Sequence, residues 1–181
     1  DDVMNKQRTV VYTKRNHALF GERLALDLDN AFYDVADGLV NTFKENNDYE
    51  GFRLEVIVNL GLDTSISQDQ FTKSNEQELV NALYLESFDS FQKKRKDMAA
   101  QVLPVFKNIR VAQGPHIENV VVPFSDGRKT LQVLVPLDKT LQSEGMELVN
   151  SLEKNVTLSI IDDAWKEHLR AMDDLKQSVQ T

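Results

Sequence analysis

Residues 24–43 read LALDLDNAFYDVADGLVNTF, and this stretch decides the fold class. Its apolar side chains recur every three or four residues, at Leu24, Leu28, Phe32, Val35, Leu39 and Phe43. Such spacing follows one face of an α-helix, which has about 3.6 residues per turn. The stretch therefore predicts an amphipathic helix whose apolar face packs against another element.

The helix is expected to extend in both directions. Upstream, Val10 and Val11 fit the apolar pattern less regularly, and Gly21 lowers the helix propensity by up to about 1 kcal/mol. Downstream, the short polar side chains of residues 46–48 compete for backbone hydrogen bonds and favour a helix end. We predict one long helix over residues 2–46, bent near Gly21.

The next segments give mixed signals. Apolar and β-branched residues alternate over residues 52–58 as they do in a strand, so the residues alone leave strand and helix open. Ser74 and Gln77 have the spacing of a capping box, which predicts a helix start there, with Asp69 as the alternative cap. That helix is expected to end or kink near Pro104, because proline cannot donate a backbone hydrogen bond.

A β-hairpin is predicted at residues 117–136. Two β-branched runs, 119–124 and 130–136, flank the pair 126–127, which is Asp-Gly. Asp-Gly between such runs favours a primed turn, in which glycine supplies a positive φ. Two strands alone are barely stable, so the hairpin must pack on a helix or gain a third strand, for which residues 109–111 are the candidate.

The chain from about residue 139 to the end is predicted to be helical. Its apolar band contains Val149, Leu152, Val156, Ile160, Ile161, Trp165, Leu169, Met172 and Leu175. The band is broader than one helix face, which indicates packing against more than one neighbour. The carboxylates of this helix are expected to form surface salt bridges with interspersed basic residues three or four positions away. The carboxylates are Asp162, Asp163, Glu167, Asp173 and Asp174, and the basic residues are Lys166, Arg170 and Lys176.

Composition narrows the classes of function. The 181 residues carry 29 acidic and 21 basic side chains, a formal net charge of -8, which argues against nucleic acid and anionic lipid as partners. Cysteine is absent, so disulfides and thiolate metal sites are excluded. No apolar run approaches the roughly 18 residues of a transmembrane helix. The absence of cysteine permits a reducing compartment, and we expect a cytosolic protein. Because the sequence lacks an initiator methionine and a terminal helix stop, we expect it to be a piece of a longer protein.

Signatures of catalysis are missing from the sequence. It contains no G-x-x-x-x-G-K-[ST] loop to cradle phosphates, and its seven glycines are scattered. The three histidines, His17, His116 and His168, lack the i+3 or i+4 spacing of a helical zinc site. We therefore assign no catalytic, cofactor-binding or metal-binding residue to this chain.

Two blocks near the ends of the chain carry a family resemblance. Residues 1–8, DDVMNKQR, resemble the D-D-V-x-N-x-Q-R segment on the scaffold helix of the SecA family, the motor ATPases of bacterial preprotein translocation. Residues 165–177, WKEHLRAMDDLKQ, resemble W-K-E-H-L-x-A-M-D-x-L-[KR]-Q on the two-helix finger of the same family. Helix formation does not dictate most of these letters, so the two blocks in this order are a specific signal.

The resemblance implies a mainly α fold, with long antiparallel scaffold helices and a helical wing domain that carries a small β-hairpin insertion. Residues 1–46 would be the distal part of the scaffold helix, and residues 47–150 the wing, with the insertion near 110–145. Residues 151–181 would be the first finger helix. The resemblance also favours helix over strand for residues 52–58.

The function implied is that of a non-catalytic part of a protein-translocating ATPase. The parent protein would use ATP and Mg to move preproteins through a membrane channel, and it would be cytoplasmic and peripheral to the bacterial inner membrane. Asp2, Asn5, Gln7 and Arg8 match the family segment that contacts the motor domains of the same parent chain. We expect these four side chains to be exposed here.

A mechanical role requires the two terminal helices to touch. We predict that they lie antiparallel, with one apolar group on the first helix facing a second group on the last: Leu24, Leu28, Phe32 and Val35 against Trp165, Leu169 and Met172. Trp165 suits either a core or an interface. The alternative is an independent helical adaptor or dimerisation module that forms a stable oligomer through its apolar helix bands.

Overall fold

The computed structural model of the chain describes residues 2–19 and 21–179, without the side chain of Ala18. The elements in chain order are α1 (Asp2–Leu19), α2 (Gly21–Lys44), α3 (Tyr49–Leu60), α4 (Gln68–Lys73), α5 (Glu76–Gln113), β1 (Asn119–Ser125), β2 (Thr130–Pro136), α6 (Leu137–Gln142) and α7 (Met146–Val179). The predicted fold class, mainly α with a small β-hairpin, is confirmed. The bend predicted near Gly21 adjoins position 20, which lies outside the described residues.

The described residues form two compact units. The central unit is Ala25–Asp97, and the terminal unit comprises the chain before Ala25 and after Asp97. Each unit contains its own apolar cluster. Among the described residues, no helix combines the length and the apolar character needed to cross a bilayer.

The central unit is built around α3, which is a helix as the family resemblance favoured. Phe52 and Val56, four residues apart, are fully buried, whereas Leu54 and Val58 are 61% and 75% exposed. The strand-like alternation in the sequence therefore has no counterpart in burial. The helix ends at Leu60, and the next residue, Gly61, caps it with a φ of 64°, the left-handed conformation that glycine adopts without steric cost.

The start of α5 lies one residue later than predicted. Asn75 Oδ1 accepts the N–H of Glu78 at 2.9 Å, and Glu78 Oε2 accepts the N–H of Asn75 at 3.3 Å. These two bonds are the reciprocal pair of a capping box. The predicted box at Ser74 and Gln77 is wrong, because Ser74 instead ends α4.

Asp69, the alternative cap predicted for the next long helix, lies instead inside the short helix α4. Ser67 Oγ accepts the N–H of Gln70 at 3.1 Å, while Asp69 lies within the first turn. At the other end, Lys44 Nζ donates to the carbonyl oxygen of Thr72 at 2.9 Å. A cation at this end satisfies a carbonyl without an intrahelical partner and complements the helix dipole.

The helix α5 does not end at Pro104, and no strand follows this proline at residues 109–111. The helix continues to Gln113, so the candidate third strand at residues 109–111 is helical and that prediction is wrong. Proline inside a helix costs about 3 kcal/mol or more. Packing is the opposing contribution: Phe106 is 2% exposed and belongs to the same cluster as Val133 of β2.

The predicted hairpin is confirmed, but its turn differs. β1 and β2 pair antiparallel with Val121 opposite Leu134, and residues 126–129 form a four-residue loop in place of a two-residue primed turn. Asp126 Oδ1 accepts the N–H groups of both Arg128 and Lys129 at 2.8 Å. These bonds, of which the one from Lys129 has the largest effect, hold the pKa of Asp126 below its usual value.

The helical stretch predicted from residue 139 onward is interrupted between α6 and α7. Gly145 adopts a φ of 92°, and a Cβ built there would lie 2.4 Å from the carbonyl oxygen of Ala99. Only glycine fits this close approach. Immediately beyond it, Leu148 and Val149 anchor the start of α7, being 0% and 2% exposed.

Candidate functional site

Two helices of the terminal unit, α1 and α7, pack side by side. Arg15 of α1 pairs with Asp162 of α7, and Gln7 of α1 bonds to His168 of α7. The lower number in α1 thus meets the higher number in α7, so the helices run antiparallel. We call the α1–α7 seam the set of residues that face each other here: Gln7, Val10, Val11 and Arg15 with Ile161, Asp162, Trp165 and His168.

The ion pair of the seam is bidentate. Arg15 Nε lies 2.7 Å from Asp162 Oδ1, and Arg15 Nη2 lies 2.9 Å from Asp162 Oδ2. Hydrogen bonding from Arg15 holds the pKa of Asp162 below its usual value, and the same bond raises the pKa of Arg15. Both side chains are 39% exposed. Water therefore weakens the attraction, and the main effect of the two-bond fork is to fix geometry.

A polar contact closes the other end of the seam. His168 Nε2 and Gln7 Oε1 lie 2.8 Å apart, and the His168 ring stacks on Trp165 with centroids 5.7 Å apart and an interplanar angle of 28°. Gln7 is consequently half-buried, which corrects the expectation that its side chain is exposed. The exposed residues of the predicted motor contact are Asp2, Asn5 and Arg8.

Between the two polar contacts lies an apolar groove of about 560 Å³. Its floor and walls are formed by Val10, Val11, Ile160, Ile161, Ala164 and Trp165, and Lys6 and Lys14 also line it. Val10 and Ile160 are 53% and 63% exposed, so the seam is open along one side. The groove offers apolar packing surface flanked by positive charge.

The first predicted packing group, Leu24, Leu28, Phe32 and Val35, lies on α2. Its predicted contact with Trp165, Leu169 and Met172 stays a prediction. In the central unit, the Phe32 ring lies 4.9 Å from that of Phe91 and 6.1 Å from that of Phe88, both on α5. Leu28 is half-buried and Val35 is 37% exposed. The structure thus shows Phe32 in an aromatic cluster with α5.

The second predicted packing group lies on α7, where Trp165, Leu169 and Met172 are all half-buried. The residues that share the groove with Trp165 come from α1, among them Val10. Val10 of α1 precedes Leu24 of α2, the first residue of the predicted partner group, by 14 positions in the sequence. Leu24 itself is 5% exposed.

The sequence did not indicate that two carboxylates of α7 form ion pairs with other elements. Asp162 and Asp163 were expected to pair along their own helix, but they reach other elements, Asp162 to Arg15 and Asp163 to Lys129 of the hairpin loop. The pKa of Asp163 is lowered by the hydrogen bond from Lys129. Two adjacent acidic residues in an otherwise apolar band were the only available signal, and it named no partner.

The described residues do not form a metal centre: within them, no three His, Asp or Glu side chains come together in a group that could hold an ion. The arrangement is an antiparallel helix pair with an open apolar groove, which lies between an ion pair and a polar contact. This is the construction of a helical scaffold module.

Comparisons with known proteins identify the family. The SecA Wing and Scaffold domain family matches residues 1–181, so the chain belongs to this family, and the predicted resemblance is confirmed. Proteins named "Protein translocase subunit SecA" are 44% identical in Christiangramia forsetii, 43% in Flavobacterium psychrophilum and 39% in Bacteroides thetaiotaomicron, each over 180 residues and 99% of this chain. The chain spans only 16% of the length of these relatives. No solved structure matches the chain.

Proposed function

We propose that this chain is the non-catalytic wing and scaffold part of a protein translocase subunit. The motor domains of the same polypeptide would bind ATP and Mg and hydrolyse the nucleotide, and the parent protein would move preproteins through a membrane channel. We place the parent in the cytoplasm, peripheral to the bacterial inner membrane. The family membership and the relatives' printed names support this proposal.

The α1–α7 seam is the observation that carries the mechanical part of the proposal. A helix transmits displacement only if its neighbour holds it in register, because a loosely packed helix would absorb the movement. Arg15 and Asp162 fix one point of the register, and Gln7 and His168 fix a second. Trp165 lies between these two points on α7 and adds apolar contact.

The proposed path of force runs from the motor domains through α1 to α7. Asp2, Asn5 and Arg8 are exposed on α1 and are therefore available to a contact with the motor domains. Gln7 takes no part in that contact in our proposal, since its side chain is bonded to His168. α7 would then act as the first finger helix and carry the displacement toward the substrate.

A charge-reversal experiment on the full-length protein tests the proposal. Arg15→Asp and Asp162→Arg, each alone, place like charges together and are expected to lower the amount of preprotein moved per ATP hydrolysed. The double variant restores opposite charges and is expected to recover much of this coupling. Lys73→Ala, which removes an exposed pair with Asp69 in α4, is the matched control.

Two results would contradict the proposal. In the first, the single reversals leave the ratio of transport to hydrolysis at the level of the Lys73→Ala control. In the second, the ratio falls but the double variant is no better than either single one, which would mean that the two side chains do not act as a pair.

A helical adaptor or dimerisation module is the second candidate function, favoured by the open apolar groove at Val10 and Ile160. It predicts a stable dimer of the 181-residue chain in light scattering after size exclusion. It also predicts that Ile160→Glu abolishes that dimer. A monomer over a wide concentration range would exclude this candidate.

A further inference from the structure

The β-hairpin lies along α7 for most of its own length. Its base is next to the start of α7, where Val135 and Leu148 share one buried cluster, and its loop reaches Asp163 through Lys129. From Leu148 to Asp163, α7 rises about 22 Å at 1.5 Å per residue. A seven-residue strand such as β2 spans about 24 Å. The two lengths match, so the hairpin and this part of α7 run side by side.

The contact between hairpin and helix is apolar over most of this length. Val133 and Val135 of β2 are fully buried, as is Leu148 of α7. Further along, a groove of about 340 Å³ is lined by side chains of both elements, among them Phe124, Leu131, Leu152, Val156 and Ser159. On α7, Leu148, Leu152, Val156, Ser159 and Asp163 follow one another by three or four residues and therefore occupy one face.

The tip of the hairpin ends this contact with an ion pair. Lys129 pairs with Asp163, and the loop that presents Lys129 is held by its own hydrogen bond to Asp126. The residue before Asp163 is Asp162, whose carboxylate is held by Arg15 of α1. Consecutive helical residues point about 100° apart, so the two carboxylates form ion pairs with neighbouring elements on different sides of α7.

From these contacts we propose that the hairpin is a brace that sets the rotation of α7 about its own axis, with Lys129 as the positioning residue. The apolar contacts keep the hairpin against α7 but permit small rotations, because several apolar arrangements have similar energies. The pair between Lys129 and Asp163 selects one rotation. In that rotation Asp162 meets Arg15 and Trp165 faces the groove with α1.

The exposure of the pair distinguishes positioning from simple stabilisation. The side chains of Lys129 and Asp163 are 65% and 48% exposed, and exposed pairs add little to the stability of a fold. Loss of the pair is therefore expected to change the surroundings of Trp165 with little effect on the melting temperature. Trp165 is the only tryptophan in the chain and reports this change directly.

The experiment compares variants of the 181-residue chain by tryptophan fluorescence and by thermal melting. Lys129→Ala and Asp163→Asn are each expected to shift the Trp165 emission to longer wavelength and to increase its quenching by acrylamide. The melting temperature should fall by less than about 4 °C, the shift expected for a small loss of stability in a chain of this size. Lys129→Arg retains the charge and should restore the fluorescence of the parent chain.

The matched control is Lys73→Ala, which removes another exposed lysine–aspartate pair in the central unit and should leave Trp165 unchanged. The brace is refuted if Lys129→Ala gives the same emission and quenching as this control. It is equally refuted if Lys129→Arg behaves like Lys129→Ala, because the effect would then not depend on the charge. A large fall in the melting temperature would mean that Lys129 serves the stability of the fold and has no specific positioning role.

The consequence of the brace for transport rests on the proposed function, whereas the fluorescence result does not. In the full-length protein, Lys129→Ala is expected to reduce the preprotein moved per ATP hydrolysed, and Lys129→Arg to preserve it. An altered Trp165 signal without any effect on transport would support the brace and contradict the proposed mechanical role. An unaltered signal would contradict the brace alone.

Discussion

Replacement of Trp165 by alanine tests whether the α1–α7 seam holds the terminal unit together. A tryptophan buries about 150–250 Å² when enclosed. Because Trp165 is half-buried in an open groove, we take roughly 100 Å² as the area lost relative to alanine. At about 25 cal/mol per Å² this corresponds to about 2.5 kcal/mol, and residual burial in the denatured chain lowers the figure to about 2 kcal/mol. The loss is smaller than the 3–5 kcal/mol typical of a fully enclosed aromatic.

The assay must separate the two compact units. Hydrogen exchange followed by mass spectrometry reports each helix, so Trp165→Ala is expected to lower the protection of α1 and α7 but not that of α3. In thermal melting, the melting temperature of the unit that contains α7 should fall by about 4–8 °C, at about 2–4 °C for each kcal/mol of stability lost. Lys166→Ala is the control, because Lys166 is the exposed neighbour of Trp165 on the same helix.

Two outcomes would refute this reasoning. A loss of stability below about 0.5 kcal/mol, which is the range of ordinary surface substitutions, would mean that Trp165 makes no substantial contact with α1. An equal loss of protection in α3 would mean that the effect is not local to the seam.

Three further predictions use stability measurements. Gly145→Ala should lower the free energy of unfolding, measured in urea, by about 2 kcal/mol or more, because the positive φ and the Ala99 carbonyl both oppose a Cβ. An unchanged free energy of unfolding would contradict the close approach of Gly145 to Ala99. Because Arg15 lowers the folded pKa of Asp162, the pair stabilises the fold above the unfolded aspartate pKa of about 3.9, and this stability is lost as the pH falls through the lower folded pKa. Asp162→Asn should therefore remove this contribution from the pH dependence of the melting temperature below neutral pH. An unchanged pH dependence would show that the pair is not formed in solution. Phe52→Ala should lower the free energy of unfolding by about 3–5 kcal/mol and speed hydrogen exchange in α3, while Trp165 fluorescence stays unchanged. A loss of stability under about 1 kcal/mol would contradict the full burial of Phe52.

Local patterns predicted the elements that depend on neighbouring residues. The apolar face of α2 and the hairpin with Asp126–Gly127 could be predicted because spacing and turn chemistry are local properties. The capping box was found to within one residue, since Ser74 and Asn75 are both good caps and only the path of the chain chooses between them. The continuation of α5 beyond Pro104 could not be predicted, because the packing of Phe106 is not visible from the proline itself.

The candidate site was predictable only as two helices that meet. Both terminal blocks fall on helices that the structure pairs, but the register of the pair depends on where each helix begins relative to the rest of the fold. Arg15 and Asp162 are 147 residues apart in sequence, and no local pattern links them. Apolar periodicity marks a face of a helix without naming its partner, so it could not indicate that Phe32 packs on Phe91.

The most direct test of the account is the distance between α1 and α7 in solution. The chain lacks cysteine, so Val3→Cys and Leu175→Cys, at exposed positions of the two helices, can each carry one spin label. Double electron–electron resonance on the full-length protein, with any other cysteines removed, should give a narrow, short distance, set by packed helix axes about 8–10 Å apart plus the two labels. A broad distribution at long distances would show that the two helices are not held together, and the proposed transmission through the seam would then be wrong.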